Sequence, residues 1–275
     1  MNAPLSLSRK KYRTIWISDV HLGYKGCKAE YLLDFLQSTE CDFLYLVGDI
    51  IDIWSMNRNF FWPQSHNDVV KAILEKAKSG TRVVYVPGNH DEMLRDYQGI
   101  IFGNIVFRNE CVHTSKTGDR FLILHGDEFD GVIKCGRLAT FFGYHAYDFL
   151  LFVNRHFNHA RRYLGLPYWS LASFMKGKIK NAMQYVQNFQ QAAVYAARKR
   201  NAQGVICGHI HHADIRKLNG IVYLNTGDWV ENCTALVEDE SGKIELLHWS
   251  ERYQTVKFLH LNGKEIINPK SKKAA

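Results

Sequence analysis

Acidic and histidine side chains occur together at five points of the 275-residue sequence, and each group directly follows a short apolar run. The most regular groups are Asp19-x-His21 and His209-x-His211, whose members are two positions apart. Residues i and i+2 of an extended chain point to the same side, so each pair can bind one centre. The five groups are Asp19 and His21; Asp49 and Asp52; Asn89, His90 and Asp91; His125 and Asp127; and His209 and His211.

The chemistry of this set favours divalent cations. It combines carboxylates, imidazoles and one amide oxygen without any thiolate, which suits Mn²⁺ first, with Fe or Zn²⁺ as alternatives. The candidate ligands are too many for one ion but match two ions that share a carboxylate. Two ions roughly 3.5–4 Å apart can stabilise both the attacking and the leaving oxygen of a phosphoryl displacement. The spacing therefore predicts a dinuclear centre that hydrolyses a phosphate ester or diphosphate.

The elements that must position these side chains follow from the apolar patterning. Strand, helix and strand alternate along the first half of the chain, which indicates parallel strands joined by right-handed crossovers. Ligands of open α/β sheets bind at the carboxyl ends of the strands, so the five groups should converge there. The predicted helices are residues 28–37 and 67–78, and the predicted strands are residues 14–18, 43–47, 82–86, 121–124, 204–207, 221–224, 234–237 and 244–248.

Residues 131–200 differ in composition from the rest of the chain. They contain eleven Lys or Arg residues against one acid, Asp148, and 14 of the 36 aromatic residues. We predict that this segment is a mostly helical insertion, or lid, in a core domain formed by residues 1–130 and 201–275. A basic and aromatic surface suits a partner that is both anionic and apolar. The alternative is an ordinary helical subdomain whose lysines are solvated.

Several side chains of this segment are candidates for substrate contacts. Residues 141–153 could line an acyl pocket, touch a bilayer surface or form only a helix–helix core. Trp54, Asn57 and Trp62 could form the opposite wall of the cleft. The polar side chains that we expect to bind phosphate or a headgroup are Asp127, Arg161, Arg162, Lys176 and Lys180.

Composition restricts the class of protein and its compartment. A chain with 46% hydrophobic and 23% charged residues is globular, and no run of 18 uncharged apolar residues could cross a membrane. The first 13 residues lack the apolar stretch of a signal peptide, and the six cysteines form no Cys-x-x-Cys pair. We therefore expect a cytoplasmic protein with reduced thiols.

The ordered groups resemble the five sequence blocks of the calcineurin-like metallophosphoesterases. These blocks are Asp19-x-His21, Gly48-Asp-Ile-Ile-Asp52, Gly88-Asn-His-Asp91, His125-Gly-Asp127 and Gly208-His-Ile-His211. The resemblance implies a four-layer α/β/β/α sandwich in which Asp19, His21, Asp49 and His211 hold one ion. It also implies that Asp49, as the bridge, holds the second ion with Asn89, His125 and His209. His90 would be the catalytic acid, and Asp91 would orient it.

Within this superfamily the chain is most similar to the UDP-2,3-diacylglucosamine pyrophosphohydrolases of lipid A synthesis. The similarity implies a lipid-linked nucleotide-sugar substrate and a peripheral position on the cytoplasmic face of the inner membrane. The sequence departs from that pattern where His90 replaces an arginine and Glu92 a phenylalanine. A third departure is His212-Ala213 in place of Arg-Pro. These changes leave open a related phospholipid-like or nucleotide-linked substrate.

Two other classes remain alternatives at this point. The same metal pair could cut nucleic acid, but the positive charge is confined to a segment rich in aromatic residues and no nucleic-acid-binding module is recognisable. A metal-free scaffold would require gaps among the seven ligands, and none is missing. A membrane-surface binding module is compatible with the enzyme, because an acylated substrate resides in a bilayer.

Overall fold

A computed structural model of the protein describes residues 9–130, 180–249, 254–260 and 265–267. The first of its two sheets consists of β1 (Lys10–Ile17), β2 (Thr39–Val47), β3 (Arg82–Val86), β4 (Ile101–Phe102), β5 (Ile105–Phe107), β11 (Thr234–Glu238), β12 (Lys243–His248), β13 (Gln254–His260) and β14 (Glu265–Ile267). Within the described residues these nine strands lie in the order β14-β13-β12-β11-β1-β2-β3-β5-β4. The strands β1, β2, β3 and β5 are parallel, so their carboxyl ends lie at one edge.

The second sheet has five strands in the described part of the chain. They are β6 (Cys111–Thr114), β7 (Arg120–Ile123), β8 (Gly204–Cys207), β9 (Asp214–Leu218) and β10 (Ile221–Asn225). Their order is β6-β7-β8-β10-β9, with the three central strands parallel and both edge strands antiparallel. β7 and β8 are neighbours although 80 residues lie between the end of β7 and the start of β8, and this pairing brings the groups that follow the two strands together.

Helices cover the outer faces of both sheets. α1 (Ala29–Ser38) and α3 (Gln64–Lys78) pack on the first sheet through apolar residues such as Leu32 and Val69. α4 (Lys180–Lys199) packs on the second sheet through residues such as Phe189. A third cluster, which includes Trp16, lies between the sheets. The layers are therefore helix, sheet, sheet and helix, which confirms the predicted α/β/β/α sandwich.

Burial explains why the strands read as continuous apolar runs. In β1, Ile15 and Ile17 face the helices while Trp16 faces the second sheet, and all three are fully buried. A strand covered on both faces has no solvent side on which polar residues would alternate. Short elements were not predicted, namely α2 (Ile53–Arg58), the strands β4, β5, β6, β9, β13 and β14, and the 3-10 helices Glu92–Tyr97 and Asp127–Phe129.

The predicted insertion lies largely outside the described residues, because residues 131–179 are not among them. Its last part is α4, whose Phe189, Ala193 and Ala197 pack against Leu122 and Val205 of the second sheet. Residues 180–199 therefore supply the outer helical layer of the second sheet, although they belong to the predicted insertion. The division into a core and a lid stays a prediction for the rest of the segment. Within the ranges that the structure covers, no helix combines the length and apolar character needed to span a membrane.

Candidate metal centre

The carboxyl ends of five strands bring the predicted ligands together. Asp19, Asp49 and Asn89 follow β1, β2 and β3, which are adjacent and parallel in the first sheet. His125 and His209 follow β7 and β8, which are adjacent and parallel in the second sheet. The side chains of both sheets meet where the sandwich ends, as the rule for parallel sheets predicts.

The ligand atoms form three overlapping groups, in each of which the atoms lie within 4.8 Å of one another. Asp49 belongs to two of the groups, and so does His21. The groups are Asp19, His21 and His211; His21, Asp49 and His90; and Asp49, His125 and His209. The pairing of carboxylate and imidazole in every group is suited to divalent cations of intermediate hardness.

The backbone at this site adopts a left-handed conformation that residues other than glycine usually avoid. Asp19, His21, Asp49, His209 and His211 all have φ between 50° and 69°. Such left-handed residues cost of order 1–3 kcal/mol each and collect at functional sites. Five of the eight non-glycine residues with positive φ in the described chain are thus predicted ligands. The other three are Asn201, Asn219 and Cys233, so most of this backbone strain is concentrated at the strand ends that carry the candidate ligands.

Glycine before a ligand permits close approach. A Cβ added at Gly88 would overlap Oδ1 of Asp49, and one added at Gly208 would overlap Oδ2 of Asp19. The close approach of a carboxylate therefore requires glycine at positions 88 and 208.

Buried atoms without partners test whether the site suits a cation. Among the described residues, four predicted ligands have a buried nitrogen or oxygen without a hydrogen bond: Asp19 Oδ1, His21 Nε2, Asn89 Oδ1 and His125 Nε2. A buried polar atom left unpaired costs about 1–3 kcal/mol. These atoms come from three different strand ends and are all chemically able to coordinate a metal, so the residues fit such an ion.

Burial and neighbouring charges shift the pKa values of the candidate ligands. Burial would raise the pKa of Asp49, but the imidazoles of His125, His21 and His90 hold that pKa well below its usual value. Burial lowers the pKa of His125, yet Asp49 outweighs it and raises that pKa to about 10. His21 is raised to a pKa of about 9, mainly by Asp52 and Asp49 against the effect of burial. Metal binding must therefore displace protons from these imidazoles.

Asp52 connects two of the imidazoles. Its Oδ2 lies 3.1 Å from Nδ1 of His21, and its Oδ1 lies 2.9 Å from Nδ1 of His90. The same carboxylate caps α2 by accepting a hydrogen bond from the backbone N–H of Ser55. Asp52 is fully enclosed and fixes both rings relative to each other.

The position of Asp91 corrects its predicted role. We expected Asp91 to orient His90, but Asp91 accepts hydrogen bonds from the backbone of Ile50 and Gly88 and from the hydroxyl of Tyr85. Burial and the charge of Asp49 raise its pKa. Asp91 therefore ties the loop after β2 to the loop after β3, and Asp52 is the carboxylate that contacts His90.

The segment that follows β10 also contacts the candidate ligands, which was not predicted from the sequence. Thr226 Oγ1 lies 2.5 Å from Ser18 Oγ, and Ser18 in turn donates to Asp19. Asn232 donates from Nδ2 to the backbone oxygen of His211. Asp228 is fully buried and accepts hydrogen bonds from three backbone N–H groups of its own turn. A run of polar residues after β10 could have indicated that this strand end belongs to the site. The run contains no histidine, so it did not resemble the other five groups.

The remaining predicted residues lie in several places. Arg95 donates a hydrogen bond of 2.7 Å from its Nη2 to Oδ1 of Asp127. Trp54 lies with its ring centroid 4.6 Å from that of His90 and is 42% exposed, so it does line the site. Trp62 instead donates to Asn67 and packs on the first-sheet core, and Asn57 is exposed. Arg161, Arg162, Lys176 and the stretch 141–153 lie outside the described residues, and Lys180 is the first residue of α4.

An α/β/β/α sandwich with clustered Asp and His side chains at its strand ends defines the class of metal-dependent phosphoesterases. Residues 12–213 match the family model described as Calcineurin-like phosphoesterase, and the chain belongs to this family. It is therefore a metal-dependent hydrolase whose Asp and His clusters suit divalent ions.

Curated relatives with a common name cover most of the chain. A protein of Neisseria gonorrhoeae named UDP-2,3-diacylglucosamine hydrolase is 27% identical over 78% of this chain and 88% of its own length. A protein of the same name from Escherichia coli is 28% identical over 74% of this chain and 84% of its own. The solved structure of Yfce, a phosphoesterase from E. coli, is 14% identical with a TM-score of 0.43, covering 92% of this chain and 96% of that one.

Proposed function

We propose that the protein cleaves the diphosphate of UDP-2,3-diacylglucosamine to UMP and 2,3-diacylglucosamine 1-phosphate, a reaction of lipid A biosynthesis. The observation that carries this proposal is the convergence at the strand ends of buried candidate ligand atoms that make no hydrogen bond. The substrate is inferred from the relatives named UDP-2,3-diacylglucosamine hydrolase, which align over about three quarters of the chain. The basic and aromatic composition of residues 131–200 suits a substrate with both phosphates and acyl chains.

The ligands divide into two sets that share Asp49. We assign Asp19, His21, Asp49 and His211 to one ion, and Asp49, Asn89, His125 and His209 to the other. This division is supported by the membership of Asp49 in two of the three groups of ligand atoms. It is also supported by the unpartnered atoms, since Asp19 and His21 fall in the first set and Asn89 and His125 in the second. Mn²⁺ is our first choice, with Fe or Zn²⁺ as alternatives.

His90 is assigned as the acid that serves the leaving oxygen. Two bound cations would activate water at neutral pH and neutralise charge on the phosphate. A carboxylate only accepts hydrogen bonds, so the Nδ1 of His90 that faces Asp52 carries a proton. The opposite nitrogen, Nε2, can then hold a second proton and deliver it to the oxygen that departs with one phosphate. The Trp54 ring limits how far the His90 imidazole can turn.

Substrate binding and location are part of the same proposal. Arg161, Arg162, Lys176 and Lys180 are proposed to contact the phosphates or a headgroup, and Asp127 to act with Arg95 at the rim of the site. A diacylated substrate resides in a bilayer, so we place the protein on the cytoplasmic face of the inner membrane. Cell fractionation with and without high salt tests this location, because a peripheral protein held partly by charge is released by salt.

The test of the proposed reaction is release of UMP from UDP-2,3-diacylglucosamine by the Mn²⁺-loaded protein. Bis-p-nitrophenyl phosphate serves as a generic phosphodiester in parallel. We expect fast turnover of the lipid and slow turnover of the generic ester. The Asp49→Asn protein, purified identically, is the control for contaminating hydrolases and should lose both activities.

Turnover of the generic ester alone would reject the substrate while retaining the metal centre. In that case the histidine at position 90, which stands where the resembling enzymes have arginine, is the first position to revert. His90→Arg would then be assayed on the same two substrates.

A further inference from the structure

The imidazole of His209 is in contact with a carboxylate that belongs to none of the predicted sets. Nε2 of His209 lies 2.9 Å from Oδ2 of Asp130. The other oxygen of Asp130 accepts a hydrogen bond of 2.6 Å from the hydroxyl of Tyr185. Tyr185 lies on α4, so these contacts join the outer helix of the second sheet to a candidate metal ligand.

The direction of these hydrogen bonds follows from the chemistry of the groups. An ionised carboxylate has no proton to donate, so the hydrogen of the His209–Asp130 contact belongs to Nε2 of the ring. A neutral imidazole with its proton on Nε2 has a lone pair on Nδ1 only. Asp130 therefore selects the tautomer in which Nδ1 is the atom available to a cation.

Packing holds the same ring on its other sides. The centroid of His209 lies 5.2 Å from that of His125 and 6.0 Å from that of Phe189. Phe189 also occupies the space where a Cβ at Gly126 would be, directly after His125. One turn of helix separates Tyr185 from Phe189 on α4. The helix thus contacts His209 both directly, through Phe189, and indirectly, through Tyr185 and Asp130.

We propose that Asp130, held by Tyr185, is a positioning residue that orients His209 and fixes its tautomer for the second metal ion. This inference rests on the proposed function in taking two ions to be bound and His209 to be a ligand of the second. Histidine ligands commonly donate their other ring N–H to a carboxylate, and loss of that partner costs about 10- to 100-fold in metal affinity. Asp130 is half exposed, so we expect the lower end of that range.

The experiment measures Mn²⁺ binding to the full-length protein by equilibrium dialysis and calorimetry, without any substrate. Asp130→Ala should weaken one of the two ions about tenfold and leave the other unchanged. Asp130→Asn keeps an acceptor oxygen and should recover part of the loss. Tyr185→Phe should weaken the same ion by a smaller factor, and it should add nothing in the Asp130→Ala background because it acts through Asp130.

Two exposed residues provide matched control variants. Tyr195 lies on α4 and is 70% exposed, so Tyr195→Phe tests loss of a hydroxyl from the same helix. Asp96 is exposed, and Asp96→Ala tests loss of an acidic charge elsewhere. Neither variant should change the affinity of either ion. The thermal unfolding midpoint of each metal-free variant shows whether the fold is retained.

Unchanged Mn²⁺ affinity in Asp130→Ala would overturn the inference. So would equal weakening of both ions together with a lower unfolding midpoint, which is the result of a purely structural role. Complete loss of the ion would make Asp130 a ligand in its own right and would also reject the positioning role. Because the readout is binding, an inactive wild-type protein on UDP-2,3-diacylglucosamine would reject the proposed function and leave this result standing.

Discussion

The described residues contain two buried clusters of charged and imidazole side chains. One is the candidate metal centre after the carboxyl ends of the strands. The other surrounds Glu238, the last residue of β11, which pairs in register with Thr14 in the middle of β1. Both clusters contain acidic residues with no exposed surface, and both join the first sheet to the second. They differ in whether their polar atoms are satisfied.

Every oxygen of Glu238 has a partner. Oε2 accepts hydrogen bonds from Arg13 at 2.6 Å and from Thr14 at 3.0 Å, and it lies 3.1 Å from Nε2 of His113. Oε1 accepts from the backbone N–H of Lys116 at 2.7 Å. The other nitrogen of His113 lies 3.1 Å from the hydroxyl of Tyr45. This cluster needs nothing from outside the chain.

The candidate metal centre differs from the Glu238 cluster in the hydrogen bonding of its buried atoms. Four of its buried ligand atoms have no hydrogen bond among the described residues, and five of its residues adopt a left-handed backbone. The hydrogen bonding of their buried atoms thus distinguishes two similarly buried clusters in one fold. Satisfied partners indicate a structural role, whereas unsatisfied atoms combined with backbone strain indicate a place for a ligand.

The largest expected effect comes from Asp49→Asn, which changes the carboxylate shared by two groups of ligand atoms. Two-metal catalysis supplies several kcal/mol, so we expect turnover to fall by about 10³-fold or more. Bound metal, measured by mass spectrometry after dialysis, should fall below two ions per chain. Two retained ions with full activity would refute the assignment of Asp49 as the bridge.

His90→Ala should reduce turnover by roughly 10²–10⁴, the usual contribution of a positioned acid, while both ions stay bound. The comparison of metal content with rate is decisive here, because His90 also lies in a group with His21 and Asp49. If metal content falls in parallel with the rate, His90 is a ligand and the acid must be sought elsewhere.

The sequence allowed most of the sandwich to be predicted and placed the candidate ligands at the strand ends, because both steps depend on local patterns. Apolar runs followed by Asp, Asn or His identify a strand and the residue at its carboxyl end together. Parallel pairing then brings those ends to one edge of the sheet without further information. The positions of Asp19, Asp49 and His125 follow from these two steps.

The supporting contacts could not be predicted, because they join residues far apart in sequence without a motif. Asp130 and His209 are 79 residues apart, and Arg13 and Glu238 are 225 apart. The role of Asp91 was misjudged for a related reason. Adjacency to His90 in sequence suggested a contact, but residues i and i+1 direct their side chains apart, and Asp52 from another loop contacts the imidazole instead.

Asp52→Asn is expected to have a smaller effect than either change above. Asparagine caps a helix as well as aspartate, so α2 should persist and only the contacts to His21 and His90 should weaken. We expect metal affinity to fall roughly 10- to 100-fold at the ion assigned to His21. Mn²⁺ titration beside Asp96→Asn as the control measures this change. Equal affinity in both variants would show that Asp52 serves α2 alone.

Glu238→Gln should leave metal binding and turnover unchanged and reduce only stability. The change leaves Arg13 and the surrounding donors without a carboxylate, at a cost of about 2 kcal/mol in the free energy of unfolding at pH 7. Although burial raises the pKa of Glu238, hydrogen bonds from His113, Lys116 and Arg13 lower it below its usual 4.5. A carboxyl with a depressed pKa stabilises the fold fully above its unfolded pKa and loses that contribution as pH falls through the folded pKa.

The difference between wild type and Glu238→Gln should therefore be constant from pH 7 to about pH 5 and shrink at lower pH. Urea unfolding of the two proteins in the presence of the same metal concentration measures it. A difference that persists unchanged into acid would mean that the shape of the side chain, and not its charge, holds this cluster together. A loss of bound metal would mean that the two clusters are coupled through β1, and the contrast between a structural and a ligand-binding cluster would fail.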